Sequence, residues 1–118
     1  MAAPPPPAVI AEAAVVVDGA SGKTLFAKNA DKVMYPASTT KIMTCLVALE
    51  RGNLDSVVTV GWRAARTDGS SLDLRAGDKL KLRELLTGMM VVSGNDAAEA
   101  VAEHVGGGSR SRFIQWMN

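Results

Sequence analysis

The sequence predicts an α/β fold: an opening β-hairpin followed by packed helices with a few short strands between them. Three observations carry that prediction. A β-branched run, Ala13-Ala14-Val15-Val16-Val17-Asp18, is followed by a glycine-bounded turn and a second alternating segment. Two later stretches repeat apolar residues at the helical period. The segments between them are short, alternating and bounded by turn residues. At 118 residues the chain suits one domain of modest size, or part of a larger one.

Residues 1–8 include four consecutive prolines, Pro4 to Pro7, which exclude helix and central strand. They read as a disordered, proline-rich tail ahead of a folded part at 9–118. The tail does not look like a signal peptide, because it lacks a basic start and Glu12 interrupts the apolar stretch after it. Residues 13–18 are expected to form a buried strand. Gly19 to Gly22 form a turn, and Lys23 to Lys28 a second strand. Asn29 to Tyr35 connect, with Asp31 and Lys32 solvated. A helix is expected from Ser38 to about Arg51, with an apolar run of Ile42, Met43, Cys45, Leu46, Val47 and Leu49, and with Cys45 inside its apolar face. Gly52 ends it.

Val57 to Val60 read as a short strand. Gly61 to Asp68 are mixed, with Trp62 as the apolar anchor, and Lys79-Leu80-Lys81 form another short strand. A second helix begins at Leu82, where Leu82, Leu85, Leu86, Met89 and Met90 keep the helical period. Gly94 is expected to break it, and Asn95 or Asp96 to cap the next helix, Ala97 to His104. Ser109 opens a last helical segment after three glycines. A two-stranded hairpin is marginal alone, and the remainder offers no long partner strands for it.

The net charge of +1, the absence of a basic stripe and the scarcity of aromatic residues give nucleic-acid binding little support. No apolar run is as long as a membrane span. The single cysteine, Cys45, excludes an intrachain disulfide and reads as an inert buried thiol. With one histidine, His104, at a helix end and no cysteine pair, no metal site is expected. His104 itself is explained as a helix C-terminal cation or a half-exposed surface residue.

Two motifs carry possible chemistry. In Tyr35-Pro36-Ala37-Ser38-Thr39-Thr40-Lys41, Ser38 sits at the mouth of a helix and Lys41 lies one turn on. Residues three apart share a helix face, so the amine reaches the hydroxyl. A serine needs a base to become a nucleophile, and lysine serves when desolvation and its neighbours favour the neutral amine. In Ser93-Gly94-Asn95, on a tight loop between helices, the serine can relay a proton and the asparagine amide can hold a carbonyl and the Lys41 amine. Each motif alone also has an ordinary explanation as cap, turn or surface residues. Their co-occurrence some fifty residues apart is much less expected by chance.

With its flanks, the chain resembles the low-molecular-mass penicillin-binding proteins that act as serine-type D-alanyl-D-alanine carboxypeptidases, the peptidase S11 family. Tyr35 to Thr44 are close to the first motif of that family, and Leu86 to Ala98 to the second. The opening hairpin, Gly69-Ser70-Ser71, Gly77-Asp78, Ala102-Glu103-His104 and Met117-Asn118 also match. The resemblance implies a β-lactamase/transpeptidase-like fold, of which this chain would hold the N-terminal hairpin and the helical subdomain, without the later sheet strands.

It implies the following chemistry. Ser38 would attack the carbonyl between the two terminal D-alanines of a peptidoglycan stem peptide, with Lys41 as base. Ser93 would pass the proton to the leaving D-alanine, Asn95 would hold substrate and Lys41, and water would release the acyl-enzyme. The Ser38 N–H would supply half of an oxyanion hole. β-Lactams would acylate Ser38 too. No metal or organic cofactor is implied. The implied location is extracytoplasmic, periplasmic or at the bacterial surface, in a parent that could be membrane-associated.

The third element of the family, Lys-Thr-Gly, is absent: the one Lys-Thr, Lys23-Thr24, is followed by Leu25 and lies in the hairpin. Residues 9–118 are therefore expected to be the N-terminal part of an incomplete catalytic domain, inactive alone and completed by a C-terminal piece. A serine β-lactamase is the nearest rival, although many of those have Ser-Asp-Asn where this chain has Gly94. A non-catalytic module that binds cell-wall peptides or a partner chain is the rival from a different class.

Overall fold

The β-branched run pairs as expected in the structure, a computed structural model that describes residues 1–118 as two compact units, Met1–Tyr35 and Pro36–Asn118. In the first unit, β1 (Ala14–Val17) and β2 (Thr24–Lys28) run antiparallel, with Val16 opposite Phe26 and an irregularity between Val16 and Val17. Asp18 holds the turn, accepting from the Ser21 N–H at 2.7 Å and the Ser21 hydroxyl at 2.5 Å. These bonds keep its carboxyl below the ordinary value.

β1 was expected to be buried. Instead Val15, Val16 and Val17 are each about half exposed, since a two-stranded ribbon covers neither of its own faces. Lys32, expected to be solvated, is half exposed and paired with Glu12. Residues 1–10 carry no regular secondary structure and are exposed, although Lys28 Nζ donates to the Val9 carbonyl at 2.8 Å.

The second unit opens with a 3₁₀ turn at Ala37–Thr39, followed by α1 (Thr40–Arg51), β3 (Val57–Thr59) and α2 (Trp62–Ala65). It continues with β4 (Lys79–Lys81), α3 (Leu82–Val92), α4 (Asn95–Val105) and α5 (Arg110–Met117). β3 and β4 pair antiparallel, Val58 opposite Leu80. α4 is the central helix and packs against α1, α2, α3, α5 and β3. Its small residues, Ala97, Ala100 and Ala102, let those neighbours approach closely. Around it and its own Val101 the core gathers Val47, Leu82, Leu85, Met89 and Phe113. The Ser109 hydroxyl caps α5 by accepting from the Arg112 N–H at 3.2 Å. Phe113 meets Trp116 edge to face, and the Arg51 guanidinium lies 4.3 Å over the Trp116 ring.

Four expectations change. The buried face of α1 is Thr44, Val47 and Ala48, while Ile42, Met43, Leu46 and Leu49 are exposed. Apolar residues encircle this helix, and its partners α3, α4 and α5 cover one side only. Cys45 is half-buried rather than buried, beside a second cavity of about 370 Å³ that Leu49, Leu54 and Met90 also line. Trp62 is 62% exposed and so anchors nothing, whereas Ala64 on the same short helix is fully buried. α3 ends on Ser93, whose φ of +59° is left-handed, and Gly94 has an ordinary φ of −63°. Gly94 itself is the N-cap of α4, without a side chain to cap it.

The glycine has a different purpose. A Cβ at Gly94 would fall well inside contact with Leu72 Cδ1, and one at Gly88 well inside contact with Leu72 Cδ2. Leu72 is thus wedged between α3 and the loop that starts α4, and a shift away from one glycine drives it into the other. Asp96 holds the same segment. It is 1% exposed and accepts from the Ser71 hydroxyl at 2.7 Å and the N–H groups of Leu72 at 3.0 Å, Leu74 at 3.1 Å and Ala97 at 2.8 Å. Burial pushes its pKa up, but these hydrogen bonds outweigh burial and leave the carboxyl below its ordinary value.

Chemical denaturation checks this packing. Phe113→Ala is expected to cost about 3–5 kcal/mol, whereas Trp62→Ala changes stability by no more than about 0.5 kcal/mol. Gly94→Ala costs about 1–3 kcal/mol by overpacking against Leu72, and combining it with Leu72→Ala costs less than the sum of the two. The ionised form of Asp96 is favoured in the folded state. Its stabilisation is therefore complete above the unfolded value of about 3.9 and is lost as pH falls through the lower folded value. The deficit of Asp96→Asn against wild type should be full at neutral pH and shrink in acid titrations of stability.

Candidate active site

Pro36 precedes a sharp change of direction. Ala37 takes a φ of +48°, a left-handed value that costs a residue with a Cβ about 1–3 kcal/mol. Ser38 follows in the 3₁₀ turn, two residues before the α-helix proper, which starts at Thr40 rather than at Ser38. The strained alanine presents an exposed Ser38 at the mouth of α1. Lys41, in the first turn of α1, reaches back so that its Nζ lies 3.3 Å from Ser38 Oγ.

From the other side, the left-handed Ser93 brings its hydroxyl to 3.0 Å from Ser38 Oγ. Asn95, the first residue of α4, accepts from Lys41 Nζ at 2.8 Å through Oδ1. The four residues singled out in the sequence, Ser38, Lys41, Ser93 and Asn95, thus form one connected cluster. Ser38 Oγ has an amine on one side and a second hydroxyl on the other. A neutral amine in this position would give one N–H to Asn95 Oδ1 and keep its lone pair for the Ser38 proton.

A loop ahead of β4 completes the arrangement. The Asn95 side-chain amide donates to the Asp68 carbonyl at 2.9 Å, and its backbone N–H donates to the Ser70 carbonyl at 2.7 Å. Gly69 lies between these two carbonyls with a φ of +96°, and a Cβ there would sit 2.5 Å from Asn95 Nδ2. The close approach of this loop therefore requires glycine.

Sequence reasoning noted Gly69-Ser70-Ser71 without a role and took Asp96 for a cap. A signal was present: Asp96 is an acid one turn before Ala100 on the buried face of α4, where a charge persists only with partners.

A cavity of about 690 Å³ opens beside the cluster, lined by Ser38, Lys41, Asn95, Ala98, Phe113 and Met117 among others. The ion pair of Glu99 and Arg110 also borders it, and the hydrogen bond to Glu99 raises the Arg110 pKa. No three His, Cys, Asp or Glu side chains come together. No helix is long and apolar enough to cross a membrane. His104 Nε2 lies 2.9 Å from the Ser56 hydroxyl and away from this cluster's hydrogen bonds.

The chain is 38% identical to D-alanyl-D-alanine carboxypeptidase DacF of Bacillus subtilis, over 92% of this chain and 29% of that protein. It is 40% identical to D-alanyl-D-alanine carboxypeptidase DacC of Escherichia coli, over 93% of this chain and 30% of that protein. The crystal structure of the D-alanyl-D-alanine carboxypeptidase DacD from Francisella tularensis superposes with a TM-score of 0.88 at 38% identity, over 99% of this chain and 29% of that one. The chain therefore has the fold of part of those enzymes and spans about three-tenths of their length. The peptidase S11 family of D-alanyl-D-alanine carboxypeptidases matches residues 1–118, and the chain belongs to that family.

Proposed function

We propose that the chain carries the nucleophile side of a serine D,D-carboxypeptidase site, which removes the terminal D-alanine from peptidoglycan stem peptides. The supporting observation is the position of Ser38 Oγ, 3.3 Å from Lys41 Nζ and 3.0 Å from Ser93 Oγ. Lys41 takes the Ser38 proton as Ser38 attacks the carbonyl between the two D-alanines. Ser93 passes a proton to the leaving amine, so that D-alanine departs and an ester on Ser38 remains. Water then cleaves that ester and restores the hydroxyl. Asn95 holds Lys41 and the substrate amide. The Ser38 N–H, at the positive end of α1, faces the developing oxyanion. A β-lactam, with a strained amide next to a carboxylate, acylates Ser38 by the same route. Assembled peptidoglycan lies outside the bacterial cytoplasm, and on that ground the proposed location is the periplasm or the cell surface.

The 118 residues contain no Lys-Thr-Gly. A cation for the substrate carboxylate and a second oxyanion donor must then come from another segment. The exposed Ile42, Met43, Leu46 and Leu49 on α1 favour a reading in which a further segment, equivalent to the later part of a related enzyme, packs on these residues.

Fluorescent penicillin tests both statements. No labelling of the chain alone is expected. Labelling should follow addition of the later part of a related carboxypeptidase and should disappear in Ser38→Ala. Labelling of the chain alone would refute the need for a second segment and keep the acylation chemistry. No labelling under either condition overturns the enzymatic reading.

A further inference from the structure

Asn95 has two ways round. With Oδ1 toward Lys41, as found, its amide nitrogen faces the Asp68 carbonyl. Flipped by 180°, its NH₂ would face the Lys41 amine and donate to the lone pair that a general base needs, while Oδ1 would meet the Asp68 carbonyl with no proton between them. The Asp68 carbonyl thus selects the orientation in which Lys41 stays free to act.

That carbonyl is only as well placed as the loop carrying it, and the loop is tied down by Asp96. This carboxylate is buried, and its bonds to Ser71 Oγ, Leu72 N–H and Leu74 N–H anchor the stretch directly after Asp68-Gly69-Ser70. Asp96 itself follows Asn95 in α4. One residue of α4 therefore holds the loop, and the loop in turn holds the residue before it.

We propose that Asp96 is a positioning residue for the reaction: by clamping residues 71–74 it keeps the Asp68 carbonyl against the Asn95 amide and so fixes the orientation of the amide and of Lys41. The proposal rests on the proposed function for its meaning, but its test does not require acylation. In solution NMR of the whole chain, the Asn95 NH₂ should give a well-dispersed, slowly exchanging proton pair. The two ε-methylene protons of the immobilised Lys41 should be inequivalent.

Asp96→Asn keeps the shape but turns one acceptor into a donor that faces backbone N–H groups. It should collapse the Asn95 pair toward free-amide positions and merge the Lys41 ε protons, while the Leu85 and Val101 methyl resonances stay in place. Gly69→Ala reaches the same contact from the loop side, through a Cβ against Asn95 Nδ2, and should give the same signature. It decides the matter if Asp96→Asn does not fold. If a folded Asp96→Asn moves the amides of residues 71–74 but leaves the Asn95 and Lys41 signals unchanged, Asp96 is a structural clip only and the proposal fails. The same holds if Gly69→Ala leaves those signals unchanged. Failure of the chain to react with penicillin bears on the proposed function and not on these resonances.

Discussion

A buried carboxylate governs the geometry around Ser38. Asp96 lies out of solvent at the start of α4, where an uncompensated charge would cost several kcal/mol. Hydrogen bonds to a charged group contribute about 1.5–3 kcal/mol each, and this carboxylate receives them from Ser71, Leu72, Leu74 and Ala97. The acid and the loop need each other. Without the loop the charge is stranded, and without the charge three loop donors lose their acceptor. From there the dependence runs through the Asp68 and Ser70 carbonyls to Asn95, from Asn95 Oδ1 to Lys41, and from Lys41 to Ser38. The residues that meet at Ser38 come from the 3₁₀ turn and first turn of α1 and from the junction of α3 with α4, and a third segment sets their alignment.

Much of this was legible in the residues, and the illegible parts share a cause. α3 was readable because Leu82, Leu85, Leu86 and Met89 form one buried stripe with Arg83, Glu84 and Thr87 exposed beside it, although Met90, counted with that stripe, proved exposed with Val91 and Val92. The α5 start was readable because Ser109 is a good cap with nothing competing for it. α1 failed differently. Its apolar residues surround the helix, so periodicity gives no preference for one side, and the buried side proved to be the one with Thr44 and Ala48. Trp62 was misjudged because size was taken for burial; an alanine two positions on fits the tight approach to α4 and the indole does not. Spacing paired Ser38 with Lys41 and Ser93 with Asn95, and the co-occurrence of the two motifs with the resemblance to the carboxypeptidases joined the pairs. The contacts that orient them run through backbone carbonyls of Asp68 and Ser70, and a carbonyl has no residue identity to read.

The left-handed residues show how local cost is placed near the cluster. Ala37 and Ser93 both have positive φ although neither is glycine. Each lies beside or within the group that meets at Ser38 Oγ. Surrounding structure must over-determine such conformations for them to persist, and the packing of α1, α3 and α4 does so here. Gly94, between Ser93 and Asn95, is conformationally ordinary and is small for the sake of Leu72.

That wedge bears on how this sequence can change over generations. Position 72 is far along the chain from 88 and 94, yet its side chain fills the volume beside both. A lineage that enlarges residue 94 must already have a smaller side chain at 72, and one that trims residue 72 opens a void beside both glycines. The order in which such exchanges occur is therefore constrained. The middle position of the Ser-Gly-Asn motif cannot drift independently of a leucine that takes no part in the chemistry.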